Sequence, residues 1–182
     1  MSYPWTWPTG ITPNNIEFCA KTLTTKHNSG YTGRSQIIRY QAGQWSELNL
    51  RFAPMVQSQA KQLTGFLNGL QGTYGTFYFT IPAIFRLGGA VGVTVAANGN
   101  DVTVTTGSAT VGAYGTEMTT RRLVTFGGDG SNTNIFPALS SGSYTIQPTS
   151  GSLFRLASNE VRFTVNDAME YGFTVPVIEA SF

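Results

Sequence analysis

Apolar residues in this chain recur with a period of two over most of its length. Leu48, Leu50 and Phe52 alternate with Glu47, Asn49 and Arg51. Phe77, Phe79 and Ile81 alternate up to Pro82, then Val91, Val93 and Val95, then Val102 and Val104. Val161, Phe163 and Val165 repeat the pattern, and Tyr171, Phe173, Val175 and Val177 close it. Successive side chains of a strand point to opposite faces, so each window reads as a strand with one buried face. Helical spacing occurs in one window alone, Val56, Ala60, Leu63, Leu67 and Leu70, widened by Phe66. Pro54 stands at its first turn and Gly69 and Gly72 at its end, which predicts a helix over about 55–70. Gly65 lies inside it, as a glycine does where a neighbouring backbone comes close.

Turn chemistry divides the rest. Gln41-Ala42-Gly43-Gln44 reads as a turn between two short strands, and Thr24 to Gly30, with His27, as a polar loop. Asn98-Gly99 predicts a type I′ hairpin, and Gly127 to Asn132 a long polar loop. Pro176 lacks an amide proton, which predicts an edge or irregular position for the last strand. The start, with Pro4, Pro8 and Pro13, reads as an extended arm carrying Trp5 and Trp7. Two Trp on such an arm call for a surface to dock on, in this chain or a neighbour.

Charge excludes several classes. Only 11% of the 182 residues are charged, against about a quarter in ordinary soluble chains. That is too few for a salt-bridged helical bundle or a charged disordered tail. The net charge is +2 and the only adjacent basic pair is Arg121-Arg122, so no basic cluster tracks a phosphate backbone. Cys19 is alone, which excludes an internal disulfide and any Cys-rich zinc site, and it reads as a small buried hydrophobe. The first residues lack the basic and apolar regions of a secretory signal, and no run is long enough to cross a bilayer as a helix. Synthesis in a cytoplasm is the expectation.

Catalytic sets are equally thin. His27 would have to serve any Ser/His/Asp or Cys/His system, and it sits in polar surroundings. Asp129, Glu160, Asp167 and Glu170 stand in no glycosidase pattern. Gly127-Gly128-Asp129-Gly130 lacks the Gly-Lys-Ser/Thr ending and the following helix of a phosphate loop, and Asp129 to Asn132 lacks the spaced acidic set of a calcium loop. The expectation is a non-enzyme without cofactor or metal, a protein that packs and pairs.

Order, rather than any single motif, carries a family resemblance. Tyr31-Thr32-Gly33, Gln36 and Trp45 precede a strand ending Arg51-Phe52-Ala53-Pro54. Then come the helix, Gly65-Phe66-Leu67-Asn68-Gly69-Leu70-Gln71-Gly72, Tyr74-Gly75-Thr76-Phe77 and Ile81-Pro82. Phe136-Pro137-Ala138-Leu139, Phe154-Arg155-Leu156-Ala157 and Phe173 to Ser181 follow in order. This series resembles the distal tail and tail hub structural proteins of long-tailed bacteriophages. The Trp/Pro-rich arm and the stretch 87–130 depart from that family's pattern.

The resemblance implies a mainly β fold, a β-sandwich or barrel related to the tail-tube fold, with one flanking helix and an inserted small β subdomain. Shifts in residue texture after Arg86 and again at Ser152 divide the chain into an arm (1–15), a β domain (16–86 with 151–182) and an insertion (87–150), and the resemblance makes the β domain the ring-forming part. The resemblance also implies a virion protein of the tail, forming a ring, typically hexameric in that family, between tail tube and hub or tip proteins, with fibres as further partners of the insertion. DNA would pass through the lumen unread, and no membrane would be entered. The candidate assembly contacts are Trp5, Trp7, Trp45, Phe66 and Phe182. The alternative class is a carbohydrate- or receptor-binding β module of a tail fibre or baseplate.

Overall fold

The computed structural model describes residues 3–32, 34–129 and 131–180, with backbone alone for 39–42. The chain is mainly β, with one α-helix among the described residues. In chain order come β1 (Trp5–Thr6), β2 (Asn15–Asn28), β3 (Ser35–Arg51), α1 (Gln57–Gly69) and β4 (Thr76–Phe79). Next are β5 (Val91–Val95), β6 (Asp101–Thr106), β7 (Tyr114–Glu117), β8 (Leu123–Gly128), β9 (Thr133–Phe136) and β10 (Gly142–Gln147). β11 (Ser152–Leu156), β12 (Phe163–Val165) and β13 (Tyr171–Glu179) finish the chain.

A mixed sheet runs β1-β4-β11-β13-β3-β2, with β12 paired to β13. β1 is parallel to β4, and the other pairs are antiparallel. The alternation expected for Leu48, Leu50, Phe52, Val175 and Val177 holds, and these side chains are buried with Phe77, Phe79, Phe154 and Leu156. From α1, Ala60, Leu63 and Leu67 close over that face. β5 to β10 form a closed barrel, β10-β5-β6-β9-β8-β7. Val91, Val93, Val95, Val124, Phe126, Ile135 and Ile146 belong to its core.

The barrel leaves and rejoins the sheet at one rung. Phe79 ends β4 and faces Ser152, which starts β11. Residues 80–151 therefore occupy the place of a hairpin turn between two paired strands. β8 is a shared wall: Leu123 packs in the sheet's core and its neighbour Val124 in the barrel's.

Several local expectations change. Gln41 to Gln44 form no turn, because β3 runs unbroken from Ser35 to Arg51. The pairing passes from Thr22↔Gln44 to Thr24↔Arg39, two residues along β2 against five along β3, so the turn-like residues are absorbed as a bulge. His27 lies in β2 opposite Gln36, exposed but not in a loop. Cys19 is half-buried on the same strand.

The helix starts after Pro54 rather than on it. Met55 and Tyr171 exchange both backbone hydrogen bonds, at 3.0 Å each, which holds that segment extended until Gln57. Val56 is consequently an exposed N-cap and not part of the buried stripe. A β-carbon on Gly65 would meet open space; the close approach is at Gly69, where it would come within 2.5 Å of the Trp5 ring.

Asn98-Gly99 makes no type I′ turn, since only Gly99 has positive φ; the Asn98 side chain instead accepts from the amides of Asn100 and Asp101. Gly127 and Gly128 are strand residues, leaving a tight connection that begins at Asp129, with Gly130 outside the described residues. Phe163 and Val165 are exposed, because among the described strands β12 pairs β13 alone. Pro176 sits in a central strand. Its carbonyl accepts from the Ala157 amide one position past the last β11–β13 rung, so the proline falls where that ladder ends, while its other side pairs with β3.

Candidate assembly interface

The N-terminal arm docks on its own chain. β1 adds to the free edge of β4, Trp5 opposite Phe77, and the Trp7 amide donates to the Tyr78 carbonyl at 3.2 Å. Trp7 places its ring 5.3–6.0 Å from those of Phe52, Phe66, Phe77 and Phe79, and its Nε1 donates to the Ile11 carbonyl at 2.7 Å. Trp5 lies against Phe66 and Gly69, and the Tyr3 hydroxyl donates to the Gly69 carbonyl at 2.8 Å. The absent Gly69 side chain is what admits the indole. Trp5, Trp7 and Phe66 thus form one half-buried aromatic group that covers the sheet's core.

The other candidates lie apart from it. Trp45 is on the wetter face of β3, and its Nε1 donates to Glu47 at 2.9 Å. Lys21 reaches the same Glu47 at 3.6 Å from the paired strand. Phe182 is outside the described residues.

The surface that sequence reading missed is the far end of the β2–β3 hairpin. β13 supports β3 only over residues 47–51, and β2 has no partner on its outer side among the described strands. Beyond Gln44 the two strands continue as a free ribbon, roughly 20 Å long at about 3.3 Å per residue. From Thr22 to Ile38 every described residue except Thr25 is exposed. Leu23 is 53% and Ile37 67% exposed, with Ile38 and Tyr31 beside them. Between Phe18 and Ser46 the charges are Lys21, Lys26, Arg34 and Arg39, with no acidic residue. An unsupported two-stranded hairpin is only marginally stable in water, so this one has the character of a contact element.

A second exposed segment has the opposite charge. Residues 157–170 carry Glu160, Asp167 and Glu170 against the single cation Arg162, which is paired to Glu160. Phe163, Val165 and Met169 are exposed among them. This segment walls an open groove of about 1210 Å³ whose other side is the sheet surface at Arg51, Thr174 and Pro176.

Barrel and sheet are locked by a buried polar joint. Glu179 is fully buried and accepts from the Ser46 amide (3.0 Å), the Leu123 amide (3.0 Å) and Arg122 Nη2 (3.1 Å). Arg122 also donates to the carbonyls of Gln44 (2.8 Å) and Ala138 (3.1 Å). Gln44 Oε1 accepts from Asn100 and from the Ala138 amide. Burial pushes the Glu179 carboxyl above the usual glutamate range, with Arg122 and the two amides opposing. On the other side of the joint Phe18 stacks on Tyr114 at 4.3 Å and meets Phe85 edge-on, and burial raises the Tyr114 phenol. Arg121, the neighbour of Arg122, lies over the Tyr78 ring. The one adjacent basic pair is therefore divided between an ion pair and an aromatic face.

The carboxylates weighed for catalysis do not converge. Asp129 accepts from the Ser131 and Asn132 amides at 2.9 Å each, which lowers its pKa. Glu160 pairs with Arg162, and Glu170 closes a turn with Asn166. Fully buried Glu117 binds the amides of Thr119 and Thr120. Among the described residues no group of three or more His, Cys, Asp or Glu could hold a metal ion, and no helix is long and apolar enough to cross a membrane. No protein-family model matches the chain, and no curated protein matches it.

Proposed function

We propose that this chain is a non-enzymatic structural protein of a bacteriophage tail tip. In this reading copies close into a ring, hexameric by the family resemblance, that joins the tail tube to hub, fibre or receptor-binding proteins. The sheet with its covering helix would be the ring-forming unit, related to the tail-tube fold, and the barrel of β5 to β10 the outward-facing insertion.

One observation carries the proposal: the β2–β3 ribbon that runs beyond the sheet with Leu23, Ile37 and Ile38 exposed. A monomer gains nothing from a ribbon without a core. A ring of identical subunits does, because each ribbon meets the next copy through a heterologous contact that closes by rotation. The low charge fraction supports the same reading, since charged residues are depleted where surfaces are buried in assembly.

Light scattering across a concentration series, with electron microscopy of the purified protein, tests it. The expected result is a closed ring whose population grows with concentration. A strict monomer at every concentration, together with absence from purified particles, would overturn it. Specific glycan binding by such a monomer would favour the receptor-binding alternative.

A further inference from the structure

We propose that the β2–β3 ribbon of one copy docks on the exposed 157–170 segment of a second copy, along the outer edge of β12. This rests on the ring reading and adds which surfaces meet.

Three properties make the two segments complementary. Charge comes first: the ribbon carries Lys26, Arg34 and Arg39 without an acid, while the segment, its Glu160–Arg162 pair neutral in sum, adds the charges of Asp167 and Glu170. Opposite charge across a contact steers encounter and penalises wrong pairings. Apolar surface comes second: Leu23, Ile37 and Ile38 are exposed on the ribbon, and Phe163, Val165 and Met169 on the segment. Both sets stay exposed in the single chain, Phe163 with one face on Phe173, and burying them removes apolar area from water.

Backbone geometry comes third. Among the described strands β12 pairs only with β13, and β2 only with β3. Each leaves one row of amide and carbonyl groups facing outward, the template for strand addition. The groove of about 1210 Å³ beside β12 gives the ribbon's tip a place to lie, with Phe163 on one wall and Arg51 and Pro176 on the other.

The segment borders the groove at Arg51, the end of β3 remote from the ribbon at Ser35 to Gln44, so the contact is head-to-tail. It does not satisfy both surfaces in a two-fold dimer unless both copies exchange ribbons. A second copy is preferred over an unrelated partner because the chain itself supplies both complementary surfaces.

A charge exchange tests this in the full-length protein. The ribbon variant carries Lys26→Glu with Arg34→Glu, and the segment variant carries Glu160→Lys with Asp167→Lys. All four side chains are exposed, so folding is checked by thermal unfolding and is expected to be unchanged. Each variant alone should weaken self-association at least tenfold. Mixing the two variants should restore association to within about threefold of wild type, since each then offers the other an opposite charge. Wild-type assembly with both variants unaffected would overturn the proposed contact and leave the ring reading intact. Weakening by each variant without recovery on mixing would also overturn it. Absence of wild-type self-association at any concentration would overturn the ring reading itself.

Discussion

Arg122 Nη2 lies 3.1 Å from Glu179 Oε2, and this pair joins the barrel to the last strand of the sheet. The pair is largely removed from water: the arginine side chain is 14% exposed and the glutamate is fully buried. Glu179 accepts three hydrogen bonds, from Ser46, Leu123 and Arg122. Removing one partner leaves a buried charge alone, which typically costs about 3–5 kcal/mol. Glu179→Ala should destabilise by about that amount in denaturant unfolding. The double variant Arg122→Met with Glu179→Leu should be less damaging than Glu179→Ala, because no uncompensated charge remains.

The same carboxyl sets a pH dependence. Its folded pKa is raised by burial, so the folded state favours the protonated form more than the unfolded chain does. Its contribution is greatest below the ordinary glutamate pKa and is lost as pH rises through the folded value. Thermal unfolding of wild type and Glu179→Gln across that range checks this. Wild type should lose stability relative to the variant as pH rises, and parallel profiles would contradict it.

Trp7 gathers four phenylalanine rings over the open face of the sheet. Trp7→Ala should therefore cost about 3 kcal/mol of stability in denaturant unfolding. Gly69→Ala tests the same docking from the helix side. A β-carbon there meets the Trp5 ring at 2.5 Å, so the arm must shift, at about 1–3 kcal/mol, although alanine favours the helix itself.

The ribbon should behave oppositely. Leu23→Ser, Ile37→Ser and Ile38→Ser remove apolar surface that touches no core, so monomer stability should change by less than about 0.5 kcal/mol each. Self-association, followed by sedimentation velocity, should weaken with each substitution.

Barrel filling gives the last comparison. Phe126 is buried among Val91, Val93, Ile135 and Ile146, and Phe126→Ala should cost about 3–5 kcal/mol. Hydrogen exchange should show whether β5 to β10 loosen first, while α1 and β13 keep their protection.

Local patterning determined much of this protein. The period of two placed most of the strands and the inward residues of β3, β4, β5 and β13, and the spacing from Ala60 to Leu70 placed the helix. These follow from side-chain direction within one element, which sequence encodes directly. Glu179 was legible in principle: it falls in phase with Val175 and Val177, so the buried face of the last strand ends on a charge. Its partner was not legible, because Arg122 approaches from the barrel through a pairing no spacing reveals.

Tertiary structure alone decided which strands had neighbours. The same alternation produced a buried strand at Val175 and an exposed one at Phe163, because β13 has strands on both sides and β12 on one. Gln41 to Gln44 carried turn chemistry, yet pairing with β2 held them as a bulge. The free ribbon arose likewise: β2 and β3 are ordinary strands by composition, and they become a projection only because β13 stops supporting β3 at Glu47. An element's own residues fix which face is apolar; what covers that face depends on residues distant in the chain.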